Sequence, residues 1–352
     1  MTIFQWLYRC CVLVILSKYL SGSAFETMQE SSSQHTDADS KTTTHGAMLL
    51  GSNLGRVVGK YGFFVFPLTD TMVGQSLHVY GEWSEHELSI FSFFVQPGDL
   101  VFDIGANIGA FTIPFGKLVG STGRVVAVEA QPALFDILTE NIVLNALDTI
   151  ISPMNAVVGT AGGTIVNVPI VNYSKPANFG SLSISKEGSS EMENRGISES
   201  SVEVQSMSLD EIYNLYGYCP TFIKIDVEGM ELPVLQGAEQ TIRECDVVLY
   251  VENNCRKKSE ALLRLLIEVY RYKVFWSVHP YYNSENFRGY KTDIFTDALI
   301  SLNVLAIPEA LEETLDIVNF VQINEKAGFK LEDYMITWKN SSAIIKQHED
   351  CD

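Results

Sequence analysis

The chain has 352 residues, a formal net charge of −19 and a hydrophobic content of 46%. That apolar content is ample for a packed core, and the length suits one large domain with appendages. An acidic surface repels phosphate backbones, so nucleic acid is not an expected partner.

Arg9 precedes an apolar stretch from Cys10 to Leu16, and the small residues Ser21-Gly22-Ser23-Ala24 follow. Residues 1–24 therefore read as a signal peptide cleaved near Ala24, or as an uncleaved signal anchor attaching the chain to a membrane through residues 1–20. Either route leads to the secretory pathway, with the product secreted or single-pass anchored. An anchor that leaves the domain facing the cytosol is the alternative. Residues 25–55 are rich in Ser, Thr, Asp, Gln and His, too polar to form a core, and read as a disordered linker.

A cap is expected over 56–96, with strands at Tyr61–Phe66 and Ser76–Tyr80. A helix over Ser84–Phe94 would place Leu88, Phe91 and Val95 on one face. The main domain spans 97–310. Strands are expected at 100–104, 124–129, 151–157, 222–226 and 247–252, and helices at 108–118, 132–145, 229–242 and 258–270. This alternation predicts an α/β fold with a parallel sheet and helices on both faces. Two late strands, Tyr272–Val278 and Asn303–Ile307, bring the sheet to seven. The Ser/Gly/Asn-rich segment 159–207 interrupts the alternation and reads as an insertion beside the site. The tail, 311–352, carries one expected helix over Leu311–Asn324.

Four cysteines lie beyond the leader, at 219, 245, 255 and 351, with no metal-type C-x-x-C spacing. An oxidising compartment would allow up to two disulfides, with the pairing open. Asn172 and Asn340 head N-x-S sequons.

The first strand runs into Val101-Phe102-Asp103-Ile104-Gly105-Ala106-Asn107-Ile108-Gly109-Ala110, and the second ends at Val128-Glu129. Glycines let backbone approach a ligand, a following helix offers free N–H groups, and Glu129 can accept two hydrogen bonds from a ribose diol. A dinucleotide fingerprint needs glycine where Asn107 stands, which disfavours an NAD-dependent oxidoreductase. Asp103 would repel a pyrophosphate. It suits S-adenosylmethionine, which carries an ammonium, a sulfonium and a ribose.

Several segments together are similar to one family. These are Tyr80-Gly81-Glu82-Trp83 through the V-F-D-I-G-A-N-I-G-A-F-T run, Glu140-Asn141-Ile142-Val143-Leu144-Asn145, Phe222-Ile223-Lys224-Ile225-Asp226-Val227-Glu228-Gly229-Met230-Glu231, and the later Pro280–Phe287 and Leu302–Leu305. The chain resembles the FkbM-type S-adenosylmethionine-dependent methyltransferases over about 60–310. The resemblance implies a class I methyltransferase (Rossmann-like) fold and methyl transfer to oxygen, on acceptors such as polyketides and sugars. Ala130-Gln131-Pro132 departs from the family, where a proline directly after the acid is more usual.

In-line methyl transfer needs the acceptor oxygen about 3 Å from the methyl, opposite the departing sulfur. Gly105, Asn107 and Gly109 are expected against the methionine moiety, Asp103 near its ammonium, Glu129 at the ribose, and Asn155 and Ala156 beside the adenine. Asp226 and Glu228 are candidates to orient the acceptor, contact the ammonium or draw off a proton, although Glu228 also reads as a helix cap. Lys224 reads as an ion-pair partner. His279 is a candidate base or a plain loop histidine. Trp83 and Tyr80 either line the acceptor pocket or pack on the sheet. No metal is assigned. Asp226, Glu252 and Asn253 are a weaker Mg²⁺ alternative, since ordinary strand-end polarity explains the same residues. The reading is O-methylation of a small-molecule or glycan hydroxyl, against a non-catalytic module that binds the cofactor without turnover.

Overall fold

A computed structural model of the chain describes residues 53–181, 197–254, 256–295, 299–312 and 321–323. The leader, most of the linker, Cys255, Cys351 and the Asn340 sequon lie outside them. Among the described residues no helix is long and apolar enough to cross a membrane.

The cap begins with an antiparallel hairpin of β1 (Leu54–Gly59) and β2 (Gly62–Pro67). Residues 76–80 are not a strand but the end of helix α1 (Val73–Tyr80). Val73, Leu77 and Tyr80 recur at helical spacing and are all buried, which outweighs a five-residue alternation. Asp70 opens this helix, its two carboxylate oxygens accepting the amides of Met72 and Gly74. Gly81, at φ 75°, closes it. Helix α2 (Glu85–Phe94) follows as expected, burying Leu88 and Phe91.

The main sheet opens with β3 (Leu100–Ile104). The helix expected from residue 108 begins later, as α3 (Thr112–Val119), because the glycine turn occupies the intervening residues. Next come β4 (Arg124–Glu129), α4 (Pro132–Leu144) and β5 (Ile151–Asn155). Described residues of the insertion region build a small sheet of their own. In it β8 (Ile197–Ser208) lies between β6 (Val157–Gly159) and β7 (Ile165–Val171). Val202, Glu203 and Val204 lie within β8.

Helix α5 (Leu209–Tyr216) starts at a capping box in which Ser208 and Glu211 satisfy each other's backbone amides. After β9 (Phe222–Ile225), the single helix expected over 229–242 divides into α6 (Glu231–Gln236) and α7 (Glu239–Glu244). The break falls at Gly237, where a Cβ would lie 2.2 Å from the Gly159 carbonyl oxygen. Strand β10 (Val248–Glu252) precedes α8 (Arg256–Arg264), which runs on into a π-helical turn at Leu265–Val269. Strands β11 (Lys273–Pro280), β12 (Ile300–Ile307) and β13 (Val321–Ile323) complete the sheet. The last corrects the expected helix over Leu311–Asn324, whose end is an edge strand.

The strand order is β13-β11-β12-β10-β9-β3-β4-β5. Pairings from β10 to β5 are parallel, and β12 runs antiparallel to both neighbours. This is the expected seven-stranded class I methyltransferase sheet, with one short strand added at its edge. Its central strands are apolar on both faces. Val101, Val125 and Phe222 pack on one side with Ile113, Leu134 and Leu138 of α3 and α4. Phe102, Val126 and Ile223 pack on the other with Leu209, Val234 and Leu263 of α5, α6 and α8.

One buried side chain joins cap and sheet. Asn141 on α4 accepts the amide of Val65 at 2.6 Å and donates to the carbonyls of Val65 and Ile108 at 3.0 and 2.8 Å. A disulfide links Cys219, before β9, to Cys245, after α7.

Candidate functional site

The C-terminal ends of β3, β4, β9 and β10 open onto one cavity of about 1090 Å³, mouth included. Ligands of open α/β sheets sit at this edge, where parallel strands end and their loops diverge. Gly105 must be glycine. Its φ is 82°, and a Cβ there would lie 1.7 Å from the backbone oxygen of Asp226. Asn107 holds φ 53°, a region that asparagine tolerates, and its own Oδ1 accepts the Ile108 amide at 2.7 Å. Gly109, at φ 89°, leaves no room for a side chain beside Leu138.

Glu129 clamps this turn. Its Oε2 accepts the Asn107 amide and its Oε1 the Gln131 amide, both at 2.8 Å. Each carboxylate oxygen retains a lone pair for a second donor such as a ribose hydroxyl. Burial pushes the Glu129 carboxyl up to about 7, against the opposing pull of the Gln131 and Asn107 amides.

Six of the expected residues line the cavity: Gly105, Asn107, Glu129, Ala156, Asp226 and Glu228. Four others do not. Asp103 is fully buried behind the turn, accepting a 2.6 Å hydrogen bond from Thr112 and lying 3.4 Å from the Lys224 ammonium. Gly109 acts through helix packing. Asn155 points back into the sheet edge, donating to the carbonyls of Glu129 and Ala130. His279 hydrogen-bonds Ser277 at 3.0 Å and stacks on His86. Burial, and then the neighbouring His86, pulls its imidazole down to about 4.

Lys224 is the ion-pair partner expected of it. It lies 3.3 Å from Asp226 and donates to the Gly105 carbonyl. Burial pulls its ammonium down, but the carboxylates of Asp226 and Asp103 outweigh that and hold it above the ordinary lysine value. Beyond it lie Asp226, Glu228 and Glu252, whose carboxylate oxygens come within 4.8 Å of one another. Glu252 Oε1 accepts from Asn254 at 2.7 Å, whereas Oε2 is sealed from solvent with no hydrogen-bond partner. Burial, then the like charges of Glu228 and Asp226, pushes its carboxyl well up.

Sequence reasoning missed three supporting residues. Glu231 accepts the amides of Val227 and Gly229, so the D-V-E-G turn closes on Glu231, and the helix starts there and not at Gly229. Gln131 donates to Phe179 O and accepts from the Tyr173 hydroxyl, drawing the insertion over the cavity so that Asn178 and Gly180 line it. Tyr281 lines the mouth, its ring stacked at 4.9 Å on Trp83. Tyr80 packs instead, its hydroxyl bonded to Thr292 and Ile294. Glu82 beside it accepts from Asn283 and the Phe287 amide, tying those two distant segments together.

The family model described as the methyltransferase FkbM domain matches residues 103–290, from the turn's first acid through the loop that carries Tyr281. The chain belongs to the FkbM methyltransferase family. Methyltransferase sdnD of Sordaria araneosa is 26% identical over an alignment of 186 residues, and the match covers 46% of this chain and 71% of that protein. The hexuronic acid methyltransferase AglP of Haloferax volcanii is 31% identical over 174 residues, 49% of this chain and 63% of that one. A crystal structure of an FkbM methyltransferase from Methylobacillus flagellatus matches at 17% identity and a TM-score of 0.38, covering 59% of this chain and 43% of its own. The chain thus spans less than two thirds of the latter two proteins.

In FkbM terms, the D-I-G-A-N-I-G and I-D-V-E-G segments are the two walls of one cleft. Apolar Leu134, Val157 and Val158 line it along with the glycine turn and Glu129. Bare backbone, a buried carboxylate with lone pairs to spare and apolar walls together line this cleft.

Proposed function

We propose that this FkbM protein transfers a methyl group from S-adenosylmethionine to a hydroxyl oxygen of a small-molecule or glycan acceptor. The observation that carries this reading is one cavity lined both by the turn residues Gly105 and Asn107 with Glu129, and by the acids Asp226 and Glu228 with the stacked pair Trp83 and Tyr281. When bound, the cofactor supplies an electrophilic methyl carbon whose bond to sulfur breaks as the bond to oxygen forms.

The chain's own residues position and deprotonate. Glu129 accepts the ribose hydroxyls, and Gly105 lets the turn backbone close on the amino-acid end. Asp103 acts from behind, through its pairing with Lys224. Asp226 or Glu228 takes the acceptor's proton, because both face the cavity and His279 does not. Trp83 and Tyr281 give the cavity an aromatic wall, and the hexuronic acid named for one relative supports a glycan acceptor.

A secretory location is part of the reading. The Cys219–Cys245 disulfide and the exposed Asn172 sequon support it, and a leader with a cleavage signal or anchor agrees with both. Glycan occupancy at Asn172 in secreted material tests the topology.

Calorimetry with S-adenosylhomocysteine, followed by transfer from methyl-tritiated donor to fractionated metabolites and glycans, tests the function. Binding of NAD but not S-adenosylhomocysteine would overturn it. Binding without any labelled product would favour the non-catalytic module.

A further inference from the structure

We propose that Asp226, Glu228 and Glu252 form a divalent-cation site within this cavity. Their three oxygens lie within 4.8 Å of one another. Ligands on opposite sides of one ion stand about 4–5 Å apart, twice a Mg²⁺–O or Ca²⁺–O bond. A single ion between the three therefore satisfies the spacing.

The independent observation is Glu252 Oε2. It is shut off from solvent, has no hydrogen-bond partner, and belongs to a side chain that lines the cavity. A carboxylate oxygen left so is destabilising unless a cation or a proton meets it. Charge balance points to the cation. Among the described residues lining the cavity, Glu129, Asp226, Glu228 and Glu252 face Lys224 as the one basic side chain. Lys224 is already engaged with Asp103 and Asp226.

The donors are also held in place before any ion arrives. Asp226 follows β9 and Glu252 ends the adjacent parallel strand β10, and Glu231 fixes the turn that presents Glu228 by gripping the amides on both sides of it. Asn253 is not part of the set, since its side chain is buried against Ser259. An ion here would gather two neighbouring oxygens of the acceptor and favour their ionised form. That consequence rests on the methyltransferase reading, but the binding of the ion does not.

Mn²⁺ titration of the purified full chain, followed by calorimetry and electron paramagnetic resonance, tests the site without turnover. We expect one saturable Mn²⁺ site for which Mg²⁺ competes. Glu252→Gln and Glu228→Gln should each weaken it about tenfold or more. Glu285→Gln, on an exposed loop, should leave it unchanged. S-adenosylhomocysteine affinity reports whether each variant is folded, and the turn variant Glu228→Gln decides if Glu252→Gln is not. No saturable site at millimolar Mn²⁺, or a site indifferent to both substitutions, would overturn the proposal. So would displacement of Mn²⁺ by S-adenosylhomocysteine, which would assign the acids to the cofactor's ammonium. Mn²⁺ binding without S-adenosylhomocysteine binding would instead sink the methyl-donor reading and leave the cation site standing.

Discussion

Glu129 Oε2 accepts the backbone amide of Asn107 at 2.8 Å, so the acid that ends one strand holds the turn that ends its neighbour. The same carboxylate that the proposed function assigns to the ribose is thus also a brace for the turn. Its partner Gln131 extends the brace to the insertion.

Glu129→Ala removes both roles. S-adenosylhomocysteine affinity should fall by about 1–3 kcal/mol, the cost of stranding buried polar partners. Calorimetry reads the change directly, and an unaltered affinity would place the ribose elsewhere.

Asp226→Asn keeps the shape of the cavity and removes a proton acceptor. Turnover should drop about a hundredfold or more, with a smaller loss of S-adenosylhomocysteine affinity. The reverse split would assign Asp226 to cofactor binding.

Asn141→Ala leaves the amide of Val65 and two buried carbonyls without their partner. The domain should lose about 2–4 kcal/mol in urea unfolding, because each stranded buried group costs about 1–3 kcal/mol. Loss of the cap alone, with the sheet's stability intact, would show that Asn141 does not couple the two.

Glu87 gives the fold a pH dependence. Buried beside Tyr250 and Asn303, its carboxyl is raised from 4.5 to about 7, chiefly by burial, while its hydrogen bonds oppose the shift. The folded state therefore binds the proton more tightly than the unfolded one. The stabilisation is full below about 4.5 and is lost as pH rises through about 7. Glu87→Gln should flatten this part of the stability curve, a slope worth on the order of 1–3 kcal/mol, in melts between about pH 5 and 8.

The Cys219–Cys245 disulfide closes a loop of 26 residues in sequence. Reduction, or Cys219→Ser with Cys245→Ser, should cost about 3 kcal/mol by removing a constraint on the unfolded chain. Thermal melts with and without reductant check it, and identical melts would mean that the bond is open in solution.

Local sequence determined the elements whose signals are short-ranged. Continuous apolar runs such as Val125-Val126-Ala127-Val128 mark strands buried on both faces, and the Gly105-Ala106-Asn107 spacing marks the turn between them. The acid after each strand was legible for the same reason. Tertiary structure decided whatever depends on partners far apart in the chain. Residues 76–80 alternate like a strand, yet they form a helix because Val73, Leu77 and Tyr80 find a common buried face. Asn141 could be read as a motif letter, but its task became visible only against Val65, 76 residues away. Glu228, not Asn253, joins Asp226 and Glu252, since Ser259 engages Asn253 and the Glu231 grip turns the D-V-E-G loop. His279, a plausible base by residue type, is committed to Ser277 away from the cavity. Residue type states what a side chain can do; only the packed neighbours, which exclude water and supply or withhold partners, decide which of those things it does.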